Sequence, residues 1–378
     1  MTDASVLLVA GEASGDLHGA RLLGALRRRV GPLKAFGLGR GELLKEGLEP
    51  VSEESFAVVG LWEVLKVYRR AKRVFDQVLE EVDRRKPQAA ILVDFPEFNL
   101  RLARQLKRRG VPVIYYISPQ VWAWRRRRVH KIARRVDLML VLFPFEEAFY
   151  RPHGLEVCHV GHPLVDEVPV LPQAWDRRRE DGEPFRLALM PGSRSSEVRS
   201  LLPGMLAAAD LLSKELKIEA FVVRAATIPR QTLEAILQAG GSTARIEEGD
   251  RFQAVAGAHL ALCASGTATL ETGLLGTPLL VLYRLAPWTY LLARLMVRLS
   301  HFSLVNLVLG EGVVPELVQR DAEPENVAAL ASRLLGDEQA IAGMRRRLAD
   351  LRPRLGRGGA SERAAAAVAE HMGWRRPA

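Results

Sequence analysis

The chain has 378 residues, 48% of them hydrophobic and 26% charged, as in a folded globular protein of about two domains rather than a disordered or fibrous one. Its two cysteines, Cys158 and Cys263, lie singly in apolar runs without CxxC spacing, which argues against a disulfide framework or a structural zinc site. A formal charge of +10 calls for an anionic partner, whether nucleic acid, phospholipid or a phosphorylated small molecule.

The first expected strand, residues 6–10, runs into Gly11-Glu12-Ala13-Ser14-Gly15-Asp16, and residues 17–28 follow with helical spacing. Glycines around Ser14 permit a tight strand-to-helix turn, and the absence of GxGxxG disfavours a dehydrogenase. Neither a basic leader nor a long apolar segment precedes the strand, so a cytoplasmic location is expected. Further strands are expected at 34–36, 89–93, 113–117, 138–143 and 157–160, with helices at 61–86 and 99–109. Together these make a first domain of residues 1–165. Several prolines and aperiodic charges then mark a linker at 166–185. A second alternating series has strands at 186–190, 221–224, 245–247, 260–264 and 279–282 and a helix at 321–335, within a domain of residues 186–355. A helical, alanine-rich segment closes the chain in residues 356–378. Strands alternating with helices imply an α/β fold of two doubly wound parallel-sheet domains facing across a cleft.

Ligands of such sheets bind beyond the carboxyl ends of the strands. In the second domain Ser265-Gly266-Thr267-Ala268-Thr269 joins a strand to a helix, where backbone N–H groups and the helix dipole favour a phosphate. Glu271 follows on that helix and can accept two hydrogen bonds from a ribose or sugar diol. The segment therefore reads either as a nucleotide site or as an ordinary βα loop with a surface Glu. Gly192-Ser193-Arg194 ends another strand, and Arg194 is either a phosphate ligand or a solvated surface residue. In the first domain Asp94 ends the apolar run 89–93 near Glu97. Either carboxylate serves as a general base once partly desolvated, and Asp94 equally suits a cap on the following helix. His162, between glycine and proline, reads as a structural hydrogen-bonding residue. Arg125 to Arg135 is the densest charge cluster, and if Trp124 to Val136 is helical, Arg127, Lys131, Arg134 and Arg135 share one broad face beside Trp122 and Trp124. The stretch from Trp288 to Leu299 sets apolar residues at helical spacing opposite Arg294 and Arg298. Both suit an anionic membrane surface, the alternatives being a solvated face for the first and a core helix for the second.

Eight stretches in register give the chain a close resemblance to the lipid-A-disaccharide synthase family. They are Gly11 to Asp16, Asp94 to Asn99, Ser118 to Arg125, Pro144-Phe145-Glu146, Gly161-His162-Pro163, Pro191 to Arg194, Ser265 to Glu271, and Leu304 to Leu307. The resemblance implies the GT-B architecture, two Rossmann-like domains with the C-terminal helix returning to the first. It also implies an inverting glycosyl transfer, in which UDP-2,3-diacylglucosamine and 2,3-diacylglucosamine 1-phosphate (lipid X) give a β-1,6-linked disaccharide 1-phosphate and UDP.

By the same resemblance Asp94 is the base. Gly192, Ser193, Arg194, Ser265, Gly266, Thr267, Ala268 and Asn306 hold the UDP-sugar, with Glu271 on the ribose. Ser14, Gly15, Asp16, Glu97, Gln120 and Trp122 line the acceptor side, Glu97 standing where some members carry Asp or a residue without a carboxylate. Neither a metal nor another cofactor is implied, since a cationic side chain and a helix N-terminus replace Mg²⁺ at the diphosphate. Acylated, phosphorylated substrates imply peripheral association with the inner face of the inner membrane. Other GT-B UDP-sugar transferases or epimerases are the nearest alternative. A basic nucleic-acid-binding protein is the more distant one, because the chain's tryptophans are scattered and form no stacking platform.

Overall fold

The computed structural model describes residues 5–52, 64–124, 126–171, 182–284 and 301–375. The chain divides into two units, Met1–Pro163 with Gly356–Ala378, and Leu164–Leu355.

The first unit contains β1 (Ser5–Ala10), β2 (Lys34–Leu38), β3 (Leu48–Pro50), β4 (Ala89–Val93), β5 (Val113–Tyr116), β6 (Leu138–Val141) and β7 (Glu156–His159). They form one parallel sheet in the order β3-β2-β1-β4-β5-β6-β7. Every residue of β4 is buried because helices cover both faces, which is why its sequence is a continuous apolar run. Val74, Val78 and Val82 of the helix Val64–Arg85, with Leu102, Ala103 and Leu106 of the helix Pro96–Arg108, pack with Leu7, Ala90, Leu92 and Tyr115 of the sheet. The C-terminal helix Ala360–Met372 returns to this unit and lies on the helix Ala13–Val30. Arg363 secures it by donating from Nε to the Val160 carbonyl at 2.8 Å.

The second unit contains β8 (Phe185–Met190), β9 (Ile218–Val223), β10 (Arg245–Glu247), β11 (Leu260–Ala264), β12 (Leu279–Tyr283) and β13 (Glu316–Val318). They too are parallel, in the order β10-β9-β8-β11-β12-β13. Its core joins Leu187, Leu189, Leu260, Leu262 and Leu280 to Val198, Leu202, Met205 and Leu206 of the helix Ser195–Leu212. Arg352 donates to the carbonyls of Val165 and Val168 at 2.9 and 2.8 Å, so the segment entering this unit is tied to the segment leaving it. Residues 172–181 of the expected linker lie outside the described residues.

Two strands are additional to the sequence reading. β3 and β13 are three-residue edge strands, too short and too exposed to show an alternating pattern. The basic run also differs from expectation: it forms a 3₁₀ turn, Arg126–Arg128, followed by the five-residue helix Val129–Ala133. Like charges at helical spacing disfavour one continuous helix there. Arg128 pairs with Glu97 at 2.9 Å and Arg135 donates to the Leu100 carbonyl at 3.0 Å, leaving Arg126, Arg127, Lys131 and Arg134 exposed. Arg125 and the whole Trp288 to Leu299 stretch lie outside the described residues. Among the described residues no helix is long and apolar enough to cross a membrane.

Candidate active site

In the first sheet the strand order reverses between β1 and β4, and the loops leaving those two strands flank the switch point. Asp94 stands there, immediately after β4. Its backbone is left-handed with φ 46°, and Phe95 follows with φ 48° before Pro96 opens a helix. Such a conformation costs about 1–3 kcal/mol per non-glycine residue and persists only where the surroundings impose it. Three hydrogen bonds do so. The Asp94 N–H donates to the Tyr116 carbonyl at 2.9 Å, and the Asp94 carbonyl accepts from the Tyr115 hydroxyl at 2.6 Å and from Asn99 Nδ2 at 2.8 Å. Gly11 supplies room on the opposite loop, since a Cβ on it would come within 2.5 Å of the Phe95 ring.

Burial, reinforced by the negative charge of Glu12, pushes the Asp94 carboxyl up to about 6, against a hydrogen bond from the Phe95 backbone that lowers it. A carboxylate so placed is ionised at neutral pH yet more basic than an ordinary aspartate, which suits proton abstraction from a hydroxyl.

The other residues expected on this side divide sharply. Ser14 is exposed and Gly15 buried in the first turn of the helix Ala13–Val30. Asp16 is buried with its carboxylate turned inward, accepting from the backbone N–H groups of Arg40, Glu42 and Leu43 and so capping the short helix Gly41–Lys45. Glu97 lies on the surface against Arg128. Gln120 is exposed at the tip of the loop leaving β5, whereas Trp122 is buried and gives its indole N–H to Glu146 at 3.1 Å. The polar atoms of Asp16 and Trp122 are therefore engaged within the protein. His162 is buried against the Phe143 ring, and burial, with His18 nearby, lowers its imidazole to about 3.

In the second sheet the order reverses between β8 and β11, whose ends pair at Met190 and Cys263. The donors of the loop after β8 converge on the carboxylate of Glu197. Backbone N–H groups of Ser193 and Arg194 donate to Glu197 Oε2 at 3.2 and 3.3 Å, and Arg194 Nη1 donates to Oε1 at 2.8 Å. Gly192 has φ 108°, and a Cβ there would meet the Glu197 carboxylate at 2.5 Å, so both backbone and space require glycine. Beside it Ser265 and Gly266 lead into the helix Thr267–Leu274, whose N-terminus has no side-chain cap. Thr267 is exposed and Ala268 half-buried there. Glu271 sits within that helix, mostly buried; burial raises its carboxyl, Arg251 at 3.6 Å opposes the rise and Glu167 adds to it.

Asn306 does not join this group. Its Nδ2 donates to the Val314 carbonyl and to Glu316 Oε1, both at 2.8 Å, while Oδ1 accepts from Val313 N and Val314 N, both at 2.9 Å. The amide has used every donor and both acceptor positions to brace the turn into β13.

Glu12, Asn99, Tyr115, Glu146 and Glu197 are the residues to which the sequence reading attached no role. Glu146 and Glu197 stand third in their helices and accept from the backbone N–H groups of their N-caps, but those N-caps are Phe143 and Arg194, so the Ser/Thr-x-x-Glu signature that would have marked them is absent. The contact of Glu12 and Tyr115 with Asp94 carries no local signal, since it depends on which strands are neighbours.

A family model described as lipid-A-disaccharide synthetase matches residues 6–370. The lipid-A-disaccharide synthase of Syntrophus aciditrophicus is 43% identical over 375 residues, covering 97% of each chain. That of Myxococcus xanthus is 44% identical over 370 residues with the same coverage. Among solved structures, Acinetobacter baumannii MurG superposes with a TM-score of 0.61 at 14% identity, covering 97% of this chain and 99% of its own. The Neisseria meningitidis UDP-GlcNAc 2-epimerase bound to UDP-GlcNAc gives 0.61 at 12% identity over the same shares. At such identities the two structures attest the fold.

Proposed function

Because the chain belongs to the lipid-A-disaccharide synthetase family of glycosyltransferases, we propose that it transfers 2,3-diacylglucosamine from UDP to 2,3-diacylglucosamine 1-phosphate. The products are the β-1,6-linked disaccharide 1-phosphate and UDP. The observation that carries the mechanism is Asp94, strained, half-buried and raised to about 6 at the switch point of the first sheet. Asp94 takes the proton of the acceptor hydroxyl as that oxygen attacks the anomeric carbon. The bond from that carbon to the diphosphate breaks, and the opposite faces of attack and departure invert the centre.

Charge on the departing diphosphate falls to Arg194, the Ser193 and Arg194 N–H groups and the open start of the helix Thr267–Leu274. Gly192 and Gly266 let the backbone approach, Ser265 and Ala268 line the loop, and Glu271 takes the ribose hydroxyls. An incoming diphosphate competes with Glu197 for three donors. Ser14, Gly15 and Gln120 form the acceptor side, with Asp16 and Trp122 bracing it and Glu97 at its margin. Asn306 supports the donor loops without touching the nucleotide.

Incubating the protein with both substrates and following UDP tests the reading: release that requires the acceptor is the expected result. Release without acceptor would identify a hydrolase, and an epimerised sugar would identify an epimerase.

Docking on the cytoplasmic face of an anionic membrane completes the proposal, through exposed Arg126, Arg127, Lys131 and Arg134. Each basic residue near such a surface contributes about 1 kcal/mol. Charge reversal at Arg127, Lys131 and Arg134 should abolish co-sedimentation with phosphatidylglycerol vesicles, and undiminished pelleting would reject this surface.

A further inference from the structure

Glu146 is a deeply buried carboxylate that the transfer chemistry leaves without a task. It is the third residue of the helix Pro144–Tyr150, which follows β6, and 2% of its surface is exposed. One carboxylate oxygen accepts from the Ser118 hydroxyl at 2.9 Å and the Trp122 indole N–H at 3.1 Å. The other accepts from the backbone N–H groups of Leu142 and Phe143 at 3.2 and 3.1 Å. The Tyr150 hydroxyl, 3.0 Å from Ser118 Oγ, closes the cluster, and Phe145 packs edge-on against Trp122.

Local capping of the helix start accounts for the two backbone bonds alone. The other two cross from the loop after β6 to the loop after β5, and they grip that loop on both sides of Gln120, its exposed residue. The loop starts under strain, because Ile117, a β-branched residue, is left-handed with φ 68°. Burial drives the Glu146 carboxyl up to about 7, with the four donors opposing the rise. Keeping a carboxylate in such a place is costly for a helix cap, for which a surface glutamate suffices.

We propose that Glu146 is a positioning residue for the acceptor: through Ser118 and Trp122 it holds the Ser118 to Trp122 loop so that Gln120 faces the acceptor sugar. This rests on the acceptor-side reading of that loop. Glu146→Gln preserves the shape but turns an amide NH2 toward donors, so two of the four bonds are lost whichever way the amide lies.

Steady-state kinetics on the full chain, with donor and acceptor varied separately, give the test. Gln120→Ala alone raises the acceptor KM. Glu146→Gln raises the acceptor KM on the order of tenfold and leaves the donor KM unchanged. Trp122→Phe, which keeps an aromatic ring against Phe145 while removing the N–H and the second ring, reproduces the same selective change and carries the test if Glu146→Gln does not fold. In the Gln120→Ala background either substitution has little further effect on the acceptor KM, since the group being positioned is gone. Fully multiplicative effects, or equal changes in both KM values, overturn the positioning role while leaving the acceptor side in place. A Gln120→Ala enzyme with an unchanged acceptor KM overturns the acceptor-side reading of the loop and the inference with it.

Discussion

Replacing Asp94 by Asn should abolish turnover and at the same time stabilise the protein. Asn tolerates the left-handed backbone that this position requires, so the fold is not penalised, and its side-chain oxygen still accepts a hydrogen bond from Phe95. The carboxyl rises from 3.8 to about 6 because burial and Glu12 disfavour its charge. A native state that binds this proton more tightly than the unfolded chain is favoured below pH 3.8 and loses that advantage as pH climbs through 6. At pH 8 the ionised carboxylate therefore costs the native state up to about 3 kcal/mol, which Asn does not incur. For a unit of this size that is roughly 6–12 °C in melting temperature. Scanning calorimetry of both proteins from pH 4.5 to 8 should show the variant's advantage growing to about pH 7 and then levelling. Its kcat should fall about 10²–10⁴-fold with donor affinity intact, and wild-type kcat/KM should decline below about pH 6. A variant less stable at pH 8, or a difference independent of pH, refutes the account of the Asp94 environment. A kcat within about tenfold of wild type refutes the base.

Arg194→Ala removes the side-chain cation of the Pro191 to Arg194 loop and should weaken UDP about 10–100-fold by calorimetry, an unchanged Kd rejecting that loop as the proposed diphosphate site. Asn306→Ala breaks four internal hydrogen bonds, so it should cost about 2–4 kcal/mol in unfolding measurements while the folded protein binds UDP within about threefold of normal. A large, selective loss of UDP affinity in a stable variant would return Asn306 to the donor site. Glu271→Gln should weaken UDP by about tenfold but 2′,3′-dideoxy-UDP far less, and equal losses would take Glu271 off the ribose.

Much of the architecture follows from local sequence because buried parallel strands must be continuously apolar and the loops at their carboxyl ends must be polar or small. Residues 89–93 and 260–264 are strands with the expected limits for that reason. The loops at Gly11, Asp94, Ser118, Gly192 and Ser265, read in order, also identify the family. The edge strands β3 and β13 escaped detection because three residues lack a full alternation, and the arginine run does not form the one continuous helix that its spacing allowed, since spacing alone ignores repulsion among like charges.

What each loop residue does was decided by tertiary structure. Asp16, Trp122 and Asn306 stand within recognisable motifs, yet hydrogen bonds reached only after folding, to Arg40, Glu146 and Val314, consume their polar atoms. Conversely, nothing beside Asp94 in sequence makes it basic: the charge of Glu12 comes from β1 and the clamp of Tyr115 from β5. Periodicity and turn chemistry are properties of neighbours along the chain, whereas desolvation, charge coupling and hydrogen-bond saturation belong to neighbours in space. The strand order β1-β4-β5 is what makes those spatial neighbours.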